Sequence, residues 1–144
     1  MEHRCSVRLP VAINVLLYHN NIPVVHCKTR NIGADGMFVR TGSLKYGTNT
    51  MLKVEFKPEE GHDIHSHLMP AMVVHHANGG MGLMFPGGNS EAMKVWRNIV
   101  RRMVLQNSIN QVDTLLKQNR NESPGFGGFG NSVKLVHKAK LSVA

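Results

Sequence analysis

Two arginines stand four residues apart in the segment Arg4-Cys5-Ser6-Val7-Arg8. A guanidinium group carries a planar fork of donors that pairs bidentately with phosphate oxygens or with O6 and N7 of guanine, and its flat face stacks on a base. Farther along lies Asn31-Ile32-Gly33-Ala34-Asp35-Gly36. An asparagine amide exchanges donor and acceptor bonds with a purine edge, and the two glycines allow a tight turn and close approach of backbone to ligand. Asp35 inside this segment and Arg40 just beyond it are further candidates for the same work. Either segment alone is ordinary, because neighbouring arginines are usually a solvated face and Asn-Gly stretches are usually turns. The information lies in having both.

No other set of residues points to chemistry as directly. Ser6, Ser43, Ser66 and Ser90 lack the G-x-S-x-G setting of a nucleophile. No G-x-x-x-x-G-K-[ST] loop occurs, and Gly79-Gly80-Met81-Gly82 reads as a hairpin turn. The 9 histidines include His62, His65, His67, His75 and His76, but none follows a zinc spacing and both cysteines lie far off in sequence. A zinc site needs three or four converging ligands, so scattered surface histidines, sensitive to pH near neutrality, are expected instead. His65 and His67 are expected to share a strand face. No catalytic residue, metal or cofactor is expected. Cys5 and Cys27 are too few for a disulfide scaffold and read as reduced thiols of a cytoplasmic protein.

Lys and Arg total 17 against 9 Asp and Glu, a net charge of +8. That balance favours anionic partners: nucleotides, nucleic acid, acidic proteins or anionic lipid. Nucleic acid ranks last among them, since aromatic residues for base stacking make up only 6% of the chain and no nucleic-acid motif is present. No apolar run approaches the ~18 residues of a membrane span, and Met1-Glu2-His3-Arg4 runs into a polar segment unlike a signal peptide.

The elements that must position the two motifs are short. With 144 residues, 42% of them hydrophobic, the chain fits one compact domain plus an appendage, with little room for a separate catalytic domain. Leu9, Val11, Ile13, Val15 and Leu17 alternate on one strand face. Asn20-Asn21 is a turn with Pro23 at its exit, Val24 to Thr29 a second strand, and Met37 to Arg40 a third. Leu52, Val54 and Phe56 alternate with Lys53, Glu55 and Lys57, Pro58 to Asp63 is a polar loop, and Leu68 to His76 and Met81 to Phe85 flank a turn at Asn78-Gly79-Gly80. Six short strands predict a small barrel or sandwich.

The period then changes. Ser90 is a helix N-cap and Glu91 suits the positive end of the dipole. Trp96, Ile99 and Met103 form one helical stripe, which packs on the barrel; Leu105, Ile109, Val112 and Leu116 form another. The two do not line up across Gln106-Asn107-Ser108, which predicts a bent helix or two helices. The distal stripe has less barrel to cover and offers itself to another copy or to a partner protein. Arg97, Arg101 and Arg102 form a basic patch beside it. Residues 122–144 read as a flexible Gly-rich linker and basic tail. The domains are therefore 1–89, a β-barrel with its arginine arm; 90–121, a helical segment on the barrel; and 122–144, the tail.

Taken together, the two motifs resemble the PilZ domain family, whose signature is RxxxR, a spacer of roughly twenty-odd residues, and D/N-x-S-x-x-G. Arg4 and Arg8 match the first element, and Asn31 and Gly36 the ends of the second. The strand through Val54 and Phe56, the strand at Met72-Val73-Val74, Gly80-Met81-Gly82-Leu83-Met84-Phe85 and a following helix look like the later parts of that fold, so the resemblance covers roughly residues 3–105. It implies a mainly β chain with a six-stranded antiparallel barrel and a C-terminal helix. It also implies a non-catalytic receptor for cyclic di-GMP, acting as an adaptor for motility, exopolysaccharide or virulence control through a protein partner. Arg4 and Arg8 would clamp guanine and phosphate, Asn31 read a guanine edge, and Gly33 and Gly36 shape the floor. The family usually has serine where this chain has Gly33; losing that hydroxyl removes about one hydrogen bond, about 0.5–1.5 kcal/mol or two- to tenfold in affinity. His3 ahead of the first motif arginine points to one bound ligand rather than a stacked pair. The alternative is a PilZ-like interaction module that no longer depends on nucleotide, as in type IV pilus assembly.

Overall fold

The computed structural model describes residues 7–58 and 65–122; residues 1–6, 59–64 and 123–144, which hold Arg4, Cys5, His62 and the Gly-rich basic tail, lie outside the described residues. Apolar alternation builds the barrel wall. Leu52, Val54 and Phe56 point inward from β4 (Met51–Phe56), each at most 2% exposed, while Lys53 faces water. The same period runs through β5 (His67–Ala77), where Met69, Ala71 and Val73 are buried, and β6 (Gly80–Met84), where Met81 and Leu83 are. With β1 (Asn14–His19), β2 (Ile22–Gly33) and β3 (Gly36–Arg40) these strands close into an antiparallel barrel in the order β1-β2-β3-β6-β5-β4. Among the described residues closure leaves no strand of the sheet unpaired on either side.

The β1–β2 hairpin turns on Asn20 and Asn21, at φ 52° and 64°. Both are left-handed, as a two-residue turn matched to strand twist requires, and asparagine tolerates that region.

The first strand differs from the alternating run that starts at Leu9. β1 begins only at Asn14, and Leu9 makes a single bridge, exchanging hydrogen bonds of 2.8 and 2.9 Å with Ile32. Pro10 follows Leu9 and has no N–H to give a ladder. Between the bridge and β1 the side chain of Thr29, 1% exposed, does the ladder's work: its hydroxyl accepts from Ile13 N–H at 2.8 Å and donates to the Val11 carbonyl at 2.7 Å. The second strand, expected to end at Thr29, continues to Gly33 because β3 pairs with that extension.

One helix, α1 (Glu91–Glu122), follows the barrel, without a break at Gln106-Asn107-Ser108. Ser90 caps it, its hydroxyl accepting from Met93 N–H at 3.2 Å. The chain divides after Arg101 into two compact units. In the first, Ala92, Met93, Trp96 and Val100 are the buried helix positions. Val100, not Ile99, continues the stripe of Trp96, because its spacing of four follows the 3.6-residue turn with less drift to that side. In the second, Leu105, Val112 and Leu115 are exposed. No helix among the described residues is long and apolar enough to cross a membrane.

Thr29→Val keeps the shape of the side chain but strands the Ile13 N–H and the Val11 carbonyl. We expect a loss of about 1–3 kcal/mol in urea denaturation, with an unchanged slope.

Candidate functional site

β2 ends at Gly33 and β3 begins at Gly36, and these two residues pair across the turn that carries the second motif. The turn is fixed from below. The Trp96 indole N–H donates to the Gly33 carbonyl at 2.9 Å, and Phe85 N–H donates to the Asp35 carbonyl at 2.8 Å. Trp96 is fully buried, edge-on to Phe56 and Phe85 with ring centroids 5.2 and 5.6 Å away. Gly36 is required by close approach: a methyl group built there would lie 2.2 Å from the Leu83 carbonyl oxygen of β6.

Arg8 covers the turn from the outside. A methyl on Gly33 would lie 3.1 Å from Arg8 Cδ, 3.3 Å from its Nε and 3.1 Å from the Val7 carbonyl oxygen; one on Gly36 would lie 3.3 Å from Arg8 Nη2. The side chain therefore runs along both glycines of the motif, with its Nε buried. This gives Gly33 a meaning beyond a missing hydroxyl. A serine there would need Arg8 and the arm backbone to give by a few tenths of an ångström.

Asn31 sits on the outer face of β2, half-buried, opposite Phe38. It reaches that face through a β-bulge. Thr29 and Ile32 are both buried inward, so Arg30 and Asn31 between them both turn outward, and the register shift falls at this pair. Bulges near functional sites re-aim side chains in this way. The extra residue, Arg30, is exposed and stacks its guanidinium carbon 3.7 Å from the centre of the Phe38 ring.

Arg8, Asn31, Gly33 and Gly36 thus come together on one face at one turn. Asp35 is exposed at its tip. Arg40 faces outward but at the far end of β3, four residues from Gly36 or roughly 13 Å along the strand, paired with Gly80 and Lys28. Arg4 lies outside the described residues. Sequence reading missed Arg30 and the hydrogen bond of Trp96; neither carries a motif, and a bulge leaves no periodic mark.

Across the turn the outer face becomes apolar. Gly36 pairs with Met84, Met84 with Met72, and Met72 with Met51, one transverse row over β3, β6, β5 and β4. Met84 is 41% and Met51 51% exposed. His65 precedes β5, so the strand face expected for His65 and His67 does not form. Among the described residues no group of three or more His, Cys, Asp or Glu is placed to hold a metal ion. Cys27 is half-buried, and burial pushes its thiol from 9.0 up to about 11. Near neutrality it is therefore protonated and a poor nucleophile.

The sequence profile of the PilZ domain matches residues 2–106. No curated relative matches the chain. Among solved structures the fold is similar to the inhibitor of motility MotI/DgrA of Bacillus subtilis, at TM-score 0.61 and 17% identity over 74% of this chain and 53% of that one. The chain thus spans about half the length of that protein. It is also similar to the PilZ domain of CeSA from a cellulose-synthesizing bacterium, at TM-score 0.56 and 17% identity over 68% of this chain and 98% of that domain.

Two measurements test this arrangement. Trp96→Phe retains an aromatic ring but leaves the Gly33 carbonyl buried without its donor. It should lower unfolding free energy by about 1–3 kcal/mol in chemical denaturation while the barrel's circular dichroism stays native. In a Cys5→Ser background, Cys27 should react with Ellman's reagent about tenfold more slowly than in the unfolded chain, the smaller thiolate fraction being partly offset by its greater nucleophilicity. Because the folded thiol ionises later than the unfolded one, stability should hold below pH 9 and fall as pH rises from there toward 11.

Proposed function

Since the chain belongs to the PilZ domain family, we propose that it is a non-catalytic receptor for cyclic di-GMP that regulates a protein partner. The observation that carries this reading is Arg8 laid along Gly33 and Gly36, an arginine held against a glycine floor with Asn31 on the same face. The guanidinium supplies the charge-assisted, bidentate donors that phosphate and guanine both accept. In this reading Arg8 and Arg4 clamp guanine and phosphate, and Asn31 reads a guanine edge. Asp35 at the tip is a weaker candidate, and Arg40 is too far along β3 to join them.

In this reading a ligand held by Arg8 at the turn lies beside the methionine row. Methionine is flexible and polarizable and is over-used at surfaces that accept varied partners. An exposed row of it next to the ligand turn supports the adaptor half of the reading. Motility, exopolysaccharide synthesis and virulence are the outputs to search, from a cytoplasmic location.

Isothermal titration calorimetry with cyclic di-GMP should give low-micromolar or tighter binding, none with GTP, and none for Arg8→Ala. An unchanged affinity in Arg8→Ala would sink the site. Absence of heat with the unmodified chain would favour a nucleotide-independent interaction module, for example in pilus assembly, and the replacement of the motif serine by Gly33 is the feature that would then matter.

A further inference from the structure

We infer that Arg30 is a third ligand arginine, a flat cationic platform on which a guanine of the bound cyclic dinucleotide stacks. This rests on the receptor reading above and extends it to a residue outside both motifs.

A regular β2 strand would place residues 29 and 31 on one face and 30 and 32 on the other. Here Thr29 and Ile32 both face the core, at 1% and 0% exposure, so the bulge leaves Arg30 and Asn31 side by side on the outer face. The side chain is then held. Its guanidinium carbon lies 3.7 Å from the Phe38 ring centre, the separation of a stacked pair. Phe38 is itself 2% exposed although it faces outward. On its other side is His75, with ring centroids 5.8 Å apart.

The rest of the row is arranged around these rings. Phe38 pairs with Gly82, and Gly82 with His75, so Asn31, Phe38, Gly82 and His75 run across four strands. A second bulge, between Val73 and His75, is what turns His75 outward. A methyl on Gly82 would lie 2.0 Å from His75 Cε1, and one on Gly80 would lie 2.8 Å from Phe38 Cε1. Two glycines of β6 thus leave room for the rings that support Arg30.

A guanidinium so placed keeps one face on phenylalanine and turns the other to solvent. Its rotamer freedom is already restricted before ligand arrives, which lowers the entropy lost on binding. Asn31 is its chain neighbour, and Gly33 and Arg8 begin about 6–7 Å farther along the strand. That distance separates a base on the platform from a phosphate at the turn, so the two arginines take different parts of one ligand. The requirement is for a planar cation, which lysine does not supply.

The test is calorimetric titration of cyclic di-GMP into the full chain, Arg8→Ala, Arg30→Ala and Arg30→Lys, with melting temperatures for each. Arg30 is exposed, so Arg30→Ala and Arg30→Lys should melt within a few degrees of the unmodified protein. The expected result is that Arg30→Ala weakens binding about five- to thirtyfold and Arg30→Lys weakens it nearly as much. Full affinity in Arg30→Ala, with binding lost in Arg8→Ala, would overturn the platform and leave the receptor reading intact. Full affinity in Arg30→Lys would show that charge alone suffices and would likewise overturn it. No binding by the unmodified chain would overturn both.

Discussion

A buried carbonyl must find a donor, because an unpaired one forfeits its water without compensation. At Gly33 the donor is the Trp96 indole, and much of the molecule is arranged around that bond. It ties the first turns of α1 to the strand end that carries the second motif. It also explains why the indole lies edge-on to Phe56 and Phe85 at full burial: the aromatic body fills the core while its one polar atom meets the one carbonyl that needs it. The turn above is consequently set from inside, and Arg8 lies on its outer surface over two glycines. Core, helix and candidate site share a single backbone segment.

The second constraint is that both faces of part of this barrel are packed. β3 and β6 bury inward side chains, as barrel strands do, yet Phe38 on the outer face is also covered. Its cover comes from two bulges on the flanking strands, which aim Arg30 and His75 at it. A bulge costs ladder regularity and supplies direction. Here both distortions fall in the row beside Asn31, so the outer wall next to the motif is rigid and cationic, while the row from Gly36 through Met84 and Met72 to Met51 is apolar and adaptable.

Glycine at the position of the motif serine reads differently in sequence and in space. As a string it is one hydroxyl lost. In the fold it is also a tight contact, since a Cβ there would lie 3.1 Å from Arg8 Cδ and from the Val7 carbonyl oxygen. Membership of the PilZ family and similarity of fold to MotI/DgrA and the CeSA domain establish the scaffold. Which residues hold a ligand on it is a matter of such contacts.

Much was legible in the chain because its signals are local. Alternation at Leu52, Val54 and Phe56 follows from the two-residue period of a pleated strand, Asn20-Asn21 from the tolerance of asparagine for left-handed backbone, and the start of α1 from the hydroxyl of Ser90. The motifs themselves were legible too, since RxxxR and N-x-G-x-x-G are spacings. What tertiary structure alone decided are the places where local period is overridden by a distant partner. In the run from Leu9 the Thr29 hydroxyl, which accepts from the Ile13 N–H and donates to the Val11 carbonyl, takes the place of a regular ladder. Val100 takes the buried position beside Trp96 because a helix drifts against any short count of its stripe. Arg30 points outward and Trp96 reaches Gly33, 63 residues away in sequence, because register and burial are satisfied only once all six strands have closed.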